Sequence, residues 1–310
     1  MKAREDKNTT CIENTLFLGN GFPRVIFNNI PSWGDLFKKN DSNINNYTFL
    51  YEKYVLNYSD KLQDNFVKNN ILKEIDTTLS KDNINTNIFD INKFGEYLIE
   101  NNVHNIITTN YDNGIECILC DICLYKKEDV EELRKEEIYN IRTYNKFVNH
   151  LTGHEVKLWK IHGDVSRIKS ITLGFDQYCG FLSKLSSYIK GEYSSKRGYE
   201  CKVPILEKCK TGNFDNLSWA ELFFNTNVYI VGFGMDFSEI DVWWLLNKHA
   251  RSVKVMPIIS NNIYYLFDEQ YDDKVEKASI FEALKAFNVE CRGIQSDENY
   301  IRNIFKKMQQ

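Results

Sequence analysis

The stretch IITTNYDNGIE, residues 106–116, places polar side chains directly after an apolar run. Asn110 supplies a neutral amide and Asp112 a carboxylate two positions later. A turn would be served by the Asn-Gly pair that follows, so a turn alone does not account for the amide and the carboxylate. An amide can hold the hydroxyl groups of a ligand through hydrogen bonds without adding a charge.

A second candidate is His162, in KIHGDV. It follows the apolar stretch VKLW and precedes a glycine, which predicts a position at the carboxyl end of a strand. Open α/β sheets bind their ligands at that edge. A histidine with an unperturbed pKa of about 6.5 can act as a general base at neutral pH. A structural histidine is the alternative that this residue leaves open.

Two glycine pairs follow apolar runs, one in LFLGNGFPRV and one in VYIVGFGMDFSEID. Such pairs let backbone N–H groups approach an anion, although a plain tight turn explains them equally well. The first pair lacks the dinucleotide fingerprint, because Arg24 stands where the third glycine would be. The helix expected near Ser238 has Asp236 and Asp241 close to its start, an arrangement typical of capping.

The elements that must position these residues are short apolar strands followed by turn residues. The strands are predicted at residues 15–21, 105–110, 156–163, 227–234, 253–260 and 289–294. Helical patterns occur after Ser32 and at residues 92–102, 237–250 and 297–310. This alternation predicts an α/β fold with a Rossmann-like parallel sheet covered on both faces.

Two segments do not fit simple crossovers between strands, namely residues 35–90 and 165–220. The first is rich in Asn and Lys, and the second has few strong strand patterns. We expect both to be mostly helical insertions packed over the ligand edge of the sheet. Residues 1–310 are then expected to form a single domain.

The composition of the sequence disfavours several classes of function. The 310 residues carry a net charge of -4, which disfavours nucleic acid as the main ligand. No apolar stretch approaches the roughly 18 residues of a membrane span, and the start MKAREDKNTT has no signal-peptide pattern. A cytoplasmic location is expected. The eight cysteines are expected to be reduced, with Cys117, Cys120 and Cys123 along one helix face as small apolar residues.

The order in which the motifs occur is more specific for one fold than any single motif is. G-N-G, T-T-N-Y-D, I-H-G and V-G-F-G-x-D follow four successive predicted strands, and this order resembles the sirtuin-like fold. The stretches SWGDL, ITTNYD, IHGD, LGFDQY and FSEIDVWWLL are similar to the bacterial sirtuin-like NAD-hydrolase family of anti-phage defence systems. The resemblance spans about residues 12–260.

The resemblance implies roles for individual residues. Asn110 would orient the nicotinamide ribose of NAD, Asp112 would fix the loop or the carboxamide, and His162 would be the general base. Ser260 or Asn261 would lie near the adenosine. The full set of implied NAD-binding residues is Gly19, Asn20, Gly21, Phe22, Arg24, Thr109, Asp112, Gly232, Gly234 and Asn261.

Departures from the protein-deacylating sirtuins point to water as the acceptor. Thr109 replaces their usual Gln, and no C-x-x-C pair of a zinc ribbon follows His162. We therefore expect an enzyme without metal that hydrolyses NAD to ADP-ribose and nicotinamide, as an antiviral effector that depletes NAD.

Two alternatives stay open. One is an NAD-dependent protein deacylase or ADP-ribosyltransferase that cleaves the same bond with another acceptor, and the other is a non-catalytic NAD or ADP-ribose sensor subunit. The expected partners are a second copy of the chain, an activating protein encoded nearby, or both, with no nucleic acid or membrane.

Overall fold

The computed structural model describes residues 12–28, 30, 47–56, 79–128, 138–195, 198–270 and 277–310. Within these residues, eight strands form one sheet and two form a small separate hairpin. The sheet strands are β1 (Asn14–Leu18), β2 (Val103–Thr108), β3 (Tyr125–Glu128), β4 (Asn145–Asn149), β5 (Glu155–Lys160), β8 (Asn227–Val231), β9 (Ile263–Asp268) and β10 (Val289–Ile294). The hairpin consists of β6 (Tyr193–Ser194) and β7 (Glu200–Cys201).

Helices connect most of the strands. They are α1 (Gly21–Ile26), α2 (Tyr47–Val55), α3 (Phe94–Glu100), α4 (Gly114–Cys117), α5 (Phe175–Lys190), α6 (Ile205–Thr211), α7 (Trp219–Asn225), α8 (Ile240–Val255), α9 (Ala278–Ala286) and α10 (Tyr300–Met308). A π-helical turn, Ile118–Ile122, continues α4, and 3-10 turns occur at Lys81–Asn83, Ile91–Lys93 and Ile168–Ser170.

The sheet is mostly parallel, as the sequence predicts. Its strand order is β10-β9-β8-β1-β2-β5-β4-β3, and the pairs from β10 through β5 are parallel. The hairpin β3–β4 adds an antiparallel edge to β5. The chain moves from β1 to β2 on one side, and β8 later pairs with the other side of β1, so the strand order reverses at β1. Ligand crevices of open α/β sheets form at such a reversal.

Both faces of the sheet are covered by apolar packing. In β8, Val228 and Ile230 belong to one hydrophobic cluster, and their neighbours Tyr229 and Val231 belong to the other. Successive side chains of a strand point to opposite faces. The uninterrupted apolar run of β8 therefore follows from burial on two sides.

The prediction of a strand at residues 253–260 is wrong. Helix α8 continues to Val255, and the strand that follows is β9, starting at Ile263. Val253 packs against the same hydrophobic cluster as Leu245 and Leu246 of α8, so its packing on the helix outweighs its preference for a strand. The edge strands β3 and β4 were not predicted, because YKKE and NKFVN lack the apolar runs of the central strands.

The two insertions are described to different extents. Residues 165–220 contain α5, α6 and the hairpin β6–β7, so this segment is helical with one small hairpin. Of residues 35–90, the structure describes 47–56 and 79–90, which include α2. The remainder of that insertion and the SWGDL motif lie outside the described residues.

The three closely spaced cysteines contact one hydrophobic cluster. Cys123 is buried in it, and Cys117 and Cys120 are partly buried against it. Burial raises the pKa of Cys123 to about 12, and burial together with the nearby Asp121 raises that of Cys117 to about 12. Thiols with such pKa values stay protonated at neutral pH, which suits apolar packing.

His154, in the loop before β5, is held as a neutral ring. Its ring centroid lies 4.6 Å from that of His104, and its Nδ1 lies 2.8 Å from the Tyr125 hydroxyl oxygen. Burial and the neighbouring His104 lower the pKa of His154 to about 4, against the opposing influence of Glu155. The folded protein therefore resists protonation at this site.

We predict an acid-sensitive contribution of His154 to stability. The unfolded chain takes up this proton at a pKa of about 6.5, so the contribution is complete above that pH and is lost as the pH falls toward the folded-state pKa. Urea unfolding of His154→Gln should show a smaller loss of stability between about pH 7 and pH 5 than the wild type shows. An equal loss in both proteins would contradict the prediction.

Candidate functional site

A cavity of about 970 Å³ lies at the carboxyl ends of the parallel strands. This volume is within the range of small-molecule sites. Residues from several strand ends line it: Asn20 and Gly21 after β1, Thr109 and Tyr111 after β2, His162 after β5, Gly232, Gly234 and Glu239 after β8, and Asp268 in β9. The cavity therefore lies at the reversal of strand order and extends to both sides of it.

The glycines after β1 and β8 bring two turns into direct backbone contact. Gly19 N–H donates to the Val231 carbonyl at 2.9 Å, and Gly21 N–H donates to the Gly232 carbonyl at 2.7 Å. Gly232 has a φ of +61°, and a Cβ there would lie 2.3 Å from the Phe22 backbone nitrogen. These two N–H groups are thus engaged by the last residue of β8 and by the turn that follows it, which accounts for the glycines without a bound anion.

Gly234 is placed differently from Gly232. It lines the cavity, and a Cβ added there would meet no atom of the described residues within 4 Å.

We predict that Gly232→Ala lowers the free energy of unfolding by about 1–3 kcal/mol or more, because the new Cβ would be attached to a left-handed backbone and would overlap the Phe22 nitrogen. The matched variant Gly234→Ala should be close to the wild type in urea unfolding. Equal stabilities of the two variants would contradict the assigned contact.

The loop after β2 holds Asn110 in an environment that leaves its amide without partners. The Thr108 hydroxyl donates to the Leu18 carbonyl at 2.7 Å and accepts the Asn110 N–H at 3.1 Å. Asn110 is 1% exposed, and neither its side-chain oxygen nor its side-chain nitrogen has a hydrogen-bond partner among the described residues. A buried polar atom without a partner costs roughly 1–3 kcal/mol. A ligand that supplies hydroxyl groups would recover that cost.

Asp112 fixes the shape of the same loop. Its Oδ1 accepts the Gly114 N–H at 2.8 Å and so closes a turn. Burial raises the pKa of this carboxyl group, and the charge of Lys160 opposes the rise. Asp112 is not among the residues that line the cavity. Of its two implied roles, this geometry favours fixing the loop over contacting a carboxamide.

Lys160, the last residue of β5, links the loop after β2 to the loop after β5. Its Nζ lies 3.0 Å from Glu116 Oε1, 3.1 Å from Asn113 Oδ1 and 3.3 Å from Asp164 Oδ2. Burial works against the charged ammonium group, but Glu116 and Asp164 outweigh it, so the pKa of Lys160 is raised. The sequence analysis missed this residue, although a lysine ending an apolar strand was the available signal.

We predict that Lys160→Met destabilises the protein by about 3–5 kcal/mol, because it leaves the carboxylates of Glu116 and Asp164 buried without their cation. Lys146→Met is a matched control. Lys146 pairs with Glu128 and Glu155, but its side chain is 23% exposed and those carboxylates are about half exposed. An exposed pair contributes about 0–1 kcal/mol. Urea unfolding of the two variants measures the difference, and comparable losses would contradict it.

His162 lies between two carboxylates. Its Nε2 is 2.8 Å from Asp241 Oδ2, and its Nδ1 is 3.5 Å from Glu239 Oε2. The ring is buried, and ring edges of Tyr178 and Phe181 pack against it. Burial disfavours the charged ring, but Asp241 and Glu239 outweigh it, so the pKa of His162 is raised.

The two carboxylates were not recognised from the sequence as partners of His162. The interpretation of Asp241 as a capping residue is wrong, because its Oδ2 contacts the ring and no described residue forms a hydrogen bond with its Oδ1. Glu239 precedes α8 and makes no side-chain cap either. Potential ligand atoms of the three residues lie within 4.8 Å of one another. The His162–Asp241 contact has the length of a hydrogen bond, and the absence of a metal stays a prediction.

The cavity brings together most of the residues that the resemblance implied. Asn20, Gly21, Arg24, Thr109, His162, Gly232 and Gly234 all line it. Gly19, Asn110 and Asp112 are next to lining residues but are not among them. Phe22 is fully buried and packs against Phe94 and Tyr300, with ring centroids 5.7 Å and 6.1 Å away, so its side chain belongs to the core.

Asn261 does not lie at the cavity. Its amide donates to the Phe223 and Thr226 carbonyls at 3.0 and 2.7 Å, at the amino-terminal end of β8. The assignment to adenosine, shared with Ser260, depended on a strand at 253–260. Because β9 begins after Asn261, both residues precede a strand and lie at the opposite edge of the sheet from the ligand crevice.

The end of the cavity near β9 and β10 is mainly acidic. Asp268, Asp297 and Glu298 line it together with Lys277. None of these residues was singled out in the sequence. Asp268 is the last residue of β9, where its Oδ1 accepts the Gln270 N–H at 2.8 Å.

Comparison with known proteins supports a sirtuin-like assignment. A family model described as "SIR2-like domain" matches residues 104–244, which include the loops with Asn110 and His162 and the start of α8 with Asp241. The mostly parallel sheet flanked by helices is consistent with the Rossmann-like fold of that family. The match indicates an NAD-related activity.

A search of curated proteins finds no match. Among the described helices, none has the length and apolarity needed to cross a membrane.

Proposed function

We propose that this protein is an NAD hydrolase that cleaves the nicotinamide–ribose bond and releases ADP-ribose and nicotinamide. The observation that carries the proposal is the buried Asn110 amide, whose two polar atoms have no hydrogen-bond partner in the part of the chain that the structure describes. Thr109 and Tyr111 on either side of it line the cavity that also contains His162. The SIR2-like match to residues 104–244 supports NAD as the ligand.

The cavity residues suit this chemistry. Oxidised nicotinamide is already a cationic leaving group, so the site needs no acid to protonate it. The C1′–N bond breaks with its electron pair going to nicotinamide, and the water oxygen bonds to C1′ while losing a proton to a base. Fixed negative charge stabilises the oxocarbenium-like transition state. Glu239 lines the cavity and Asp241 lies directly behind His162, so both contribute such charge.

The strand order suits an extended dinucleotide. Four strand spacings separate β5 from β9, a distance of roughly 19 Å at about 4.8 Å per strand. The nicotinamide half would lie at the ends of β2 and β5, and the pyrophosphate would cross at β1 and β8 near Arg24. The adenosine half would then face β9 and β10, where Asp268 can accept hydrogen bonds from ribose hydroxyl groups.

We predict that Asn110→Ala and His162→Ala each abolish NAD cleavage while the protein stays folded. Loss of a positioned general base lowers the rate by about 10²–10⁴-fold. The measurement is nicotinamide release by liquid chromatography, with circular dichroism as the folding check. Asn262→Ala and His150→Ala are controls of the same residue types, since both side chains are exposed and outside the cavity. Near-full turnover by folded His162→Ala would exclude it as the base.

The products separate the proposed hydrolase from its alternatives. Free ADP-ribose in equal amount to nicotinamide indicates water as the acceptor. O-acyl-ADP-ribose from an acyl-lysine peptide, or ADP-ribose attached to protein, would indicate a deacylase or a transferase. NAD binding without any nicotinamide release, both for the chain by itself and with its genomic neighbours, would indicate a sensor subunit.

The proposed biological role is depletion of NAD as an antiviral effector, with activity controlled by oligomerisation or by a partner protein. An enzyme that destroys a central cofactor needs an inactive state in the uninfected cell. Expressing the chain by itself, with its genomic neighbours and with phage, while cellular NAD is followed, tests this control. NAD loss that is equally rapid under all three conditions would exclude it.

A further inference from the structure

The two carboxylates beside His162 have unequal environments. Asp241 is fully buried, is not among the cavity-lining residues and contacts Nε2 at 2.8 Å. Glu239 lines the cavity and lies 3.5 Å from Nδ1. The Tyr178 hydroxyl donates to Glu239 Oε2 at 3.3 Å and so helps to hold that carboxylate beside the ring.

The contact with Asp241 selects one tautomer of the ring. A carboxylate accepts hydrogen bonds, so Nε2 must carry the proton that faces Asp241. In the neutral ring Nδ1 is then unprotonated, and it faces the side on which Glu239 meets the cavity. The nitrogen available to accept a proton from a ligand is therefore Nδ1.

We propose that Asp241 is a positioning residue that holds His162 with Nδ1 toward the cavity, and that Glu239 stabilises the imidazolium formed when Nδ1 accepts a proton. This inference deepens the proposed hydrolase and rests on it. Water bonds to C1′ through its oxygen, the C1′–N bond breaks with its electron pair going to nicotinamide, and the proton lost by water is bound at Nδ1. Asp241 thus fixes the orientation of the His162 ring on one side, and Glu239 supplies a negative charge on the other.

The surroundings of the ring set the expected pH dependence. The groups facing it are Asp241 and Glu239 from the start of α8, and Tyr178 and Phe181 from α5. On its own loop, the Asp164 carboxylate is bound by Lys160 and by Ser166. The two carboxylates raise the pKa of His162. The unprotonated, active ring therefore accumulates as the pH rises, and loss of either carboxylate moves that transition to lower pH.

Kinetics of Asp241→Asn test the positioning role. We expect kcat for nicotinamide release to fall by about 10²–10⁴-fold, because an amide can hold the wrong tautomer, with KM for NAD little changed. The matched control is Glu221→Gln. Glu221 is another fully buried carboxylate, bound by Lys208 and Tyr188 away from the cavity. It should lose stability but keep kcat per folded molecule. An unchanged kcat in folded Asp241→Asn would overturn the proposal.

Glu239→Gln provides a second variant that does not remove a fully buried carboxylate. Its kcat should rise with pH over a range displaced to lower pH than that of the wild type, and Glu239→Asp should restore part of the original profile. A merely structural residue would change kcat at every pH without displacing the profile. An undisplaced profile would contradict the role of Glu239.

Nuclear magnetic resonance of ring-¹⁵N-labelled histidine tests the geometry without turnover. The His162 signals, assigned by their loss in His162→Gln, should show the Nε2–H tautomer above the pKa of the ring in the wild type. The Nδ1–H tautomer would overturn the positioning by Asp241. The Nε2–H tautomer in a protein that releases no nicotinamide, by itself or with its genomic neighbours, would support the positioning but contradict the hydrolase.

Discussion

A buried ammonium group holds the two central loops of the cavity in place. Lys160 bonds to Asn113 at the end of the loop after β2, to Glu116 in α4 and to Asp164 in the loop after β5. Asn110 and His162 belong to those same two loops, so the distance between them depends on this network. Each of these charges would be costly in isolation, and together they are stable in one arrangement. The relative placement of the two loops thus depends on buried polar contacts of residues that do not line the cavity.

The other side of the cavity depends on backbone contact. The turns after β1 and β8 touch through Gly19, Gly21 and Gly232, at the strand pair where the chain order reverses. Any side chain at Gly232 would separate the turns and shift β8 relative to β1. Glu239 and Asp241 follow β8 in sequence, so the same contact sets the position of both carboxylates relative to His162.

Local patterns predicted the central sheet well, because β1 and β8 are mainly apolar runs buried on two faces and β2 and β5 each contain a short buried apolar stretch near their carboxyl end. They failed where tertiary packing determines the secondary structure. Val253 is a residue type that prefers strands, but it packs on α8 as part of that helix. The candidate site shows the same division. His162 was predicted from its place after a strand, whereas its contact with Asp241 spans 79 residues of sequence. A carboxylate at a helix start has a local explanation, and its long-range partner leaves no local signal.

The edge strand β3 has a consequence for association between molecules. An outer strand exposes backbone N–H and C=O groups that another chain can extend, which is the route to fibrillar aggregates. In β3 the side chains of Lys126, Lys127 and Glu128 are exposed. A flat apolar ribbon would invite a neighbouring copy to pair there, and three consecutive charges oppose that pairing. The antiparallel hairpin thus shields the β5 side of the parallel strands from templated growth.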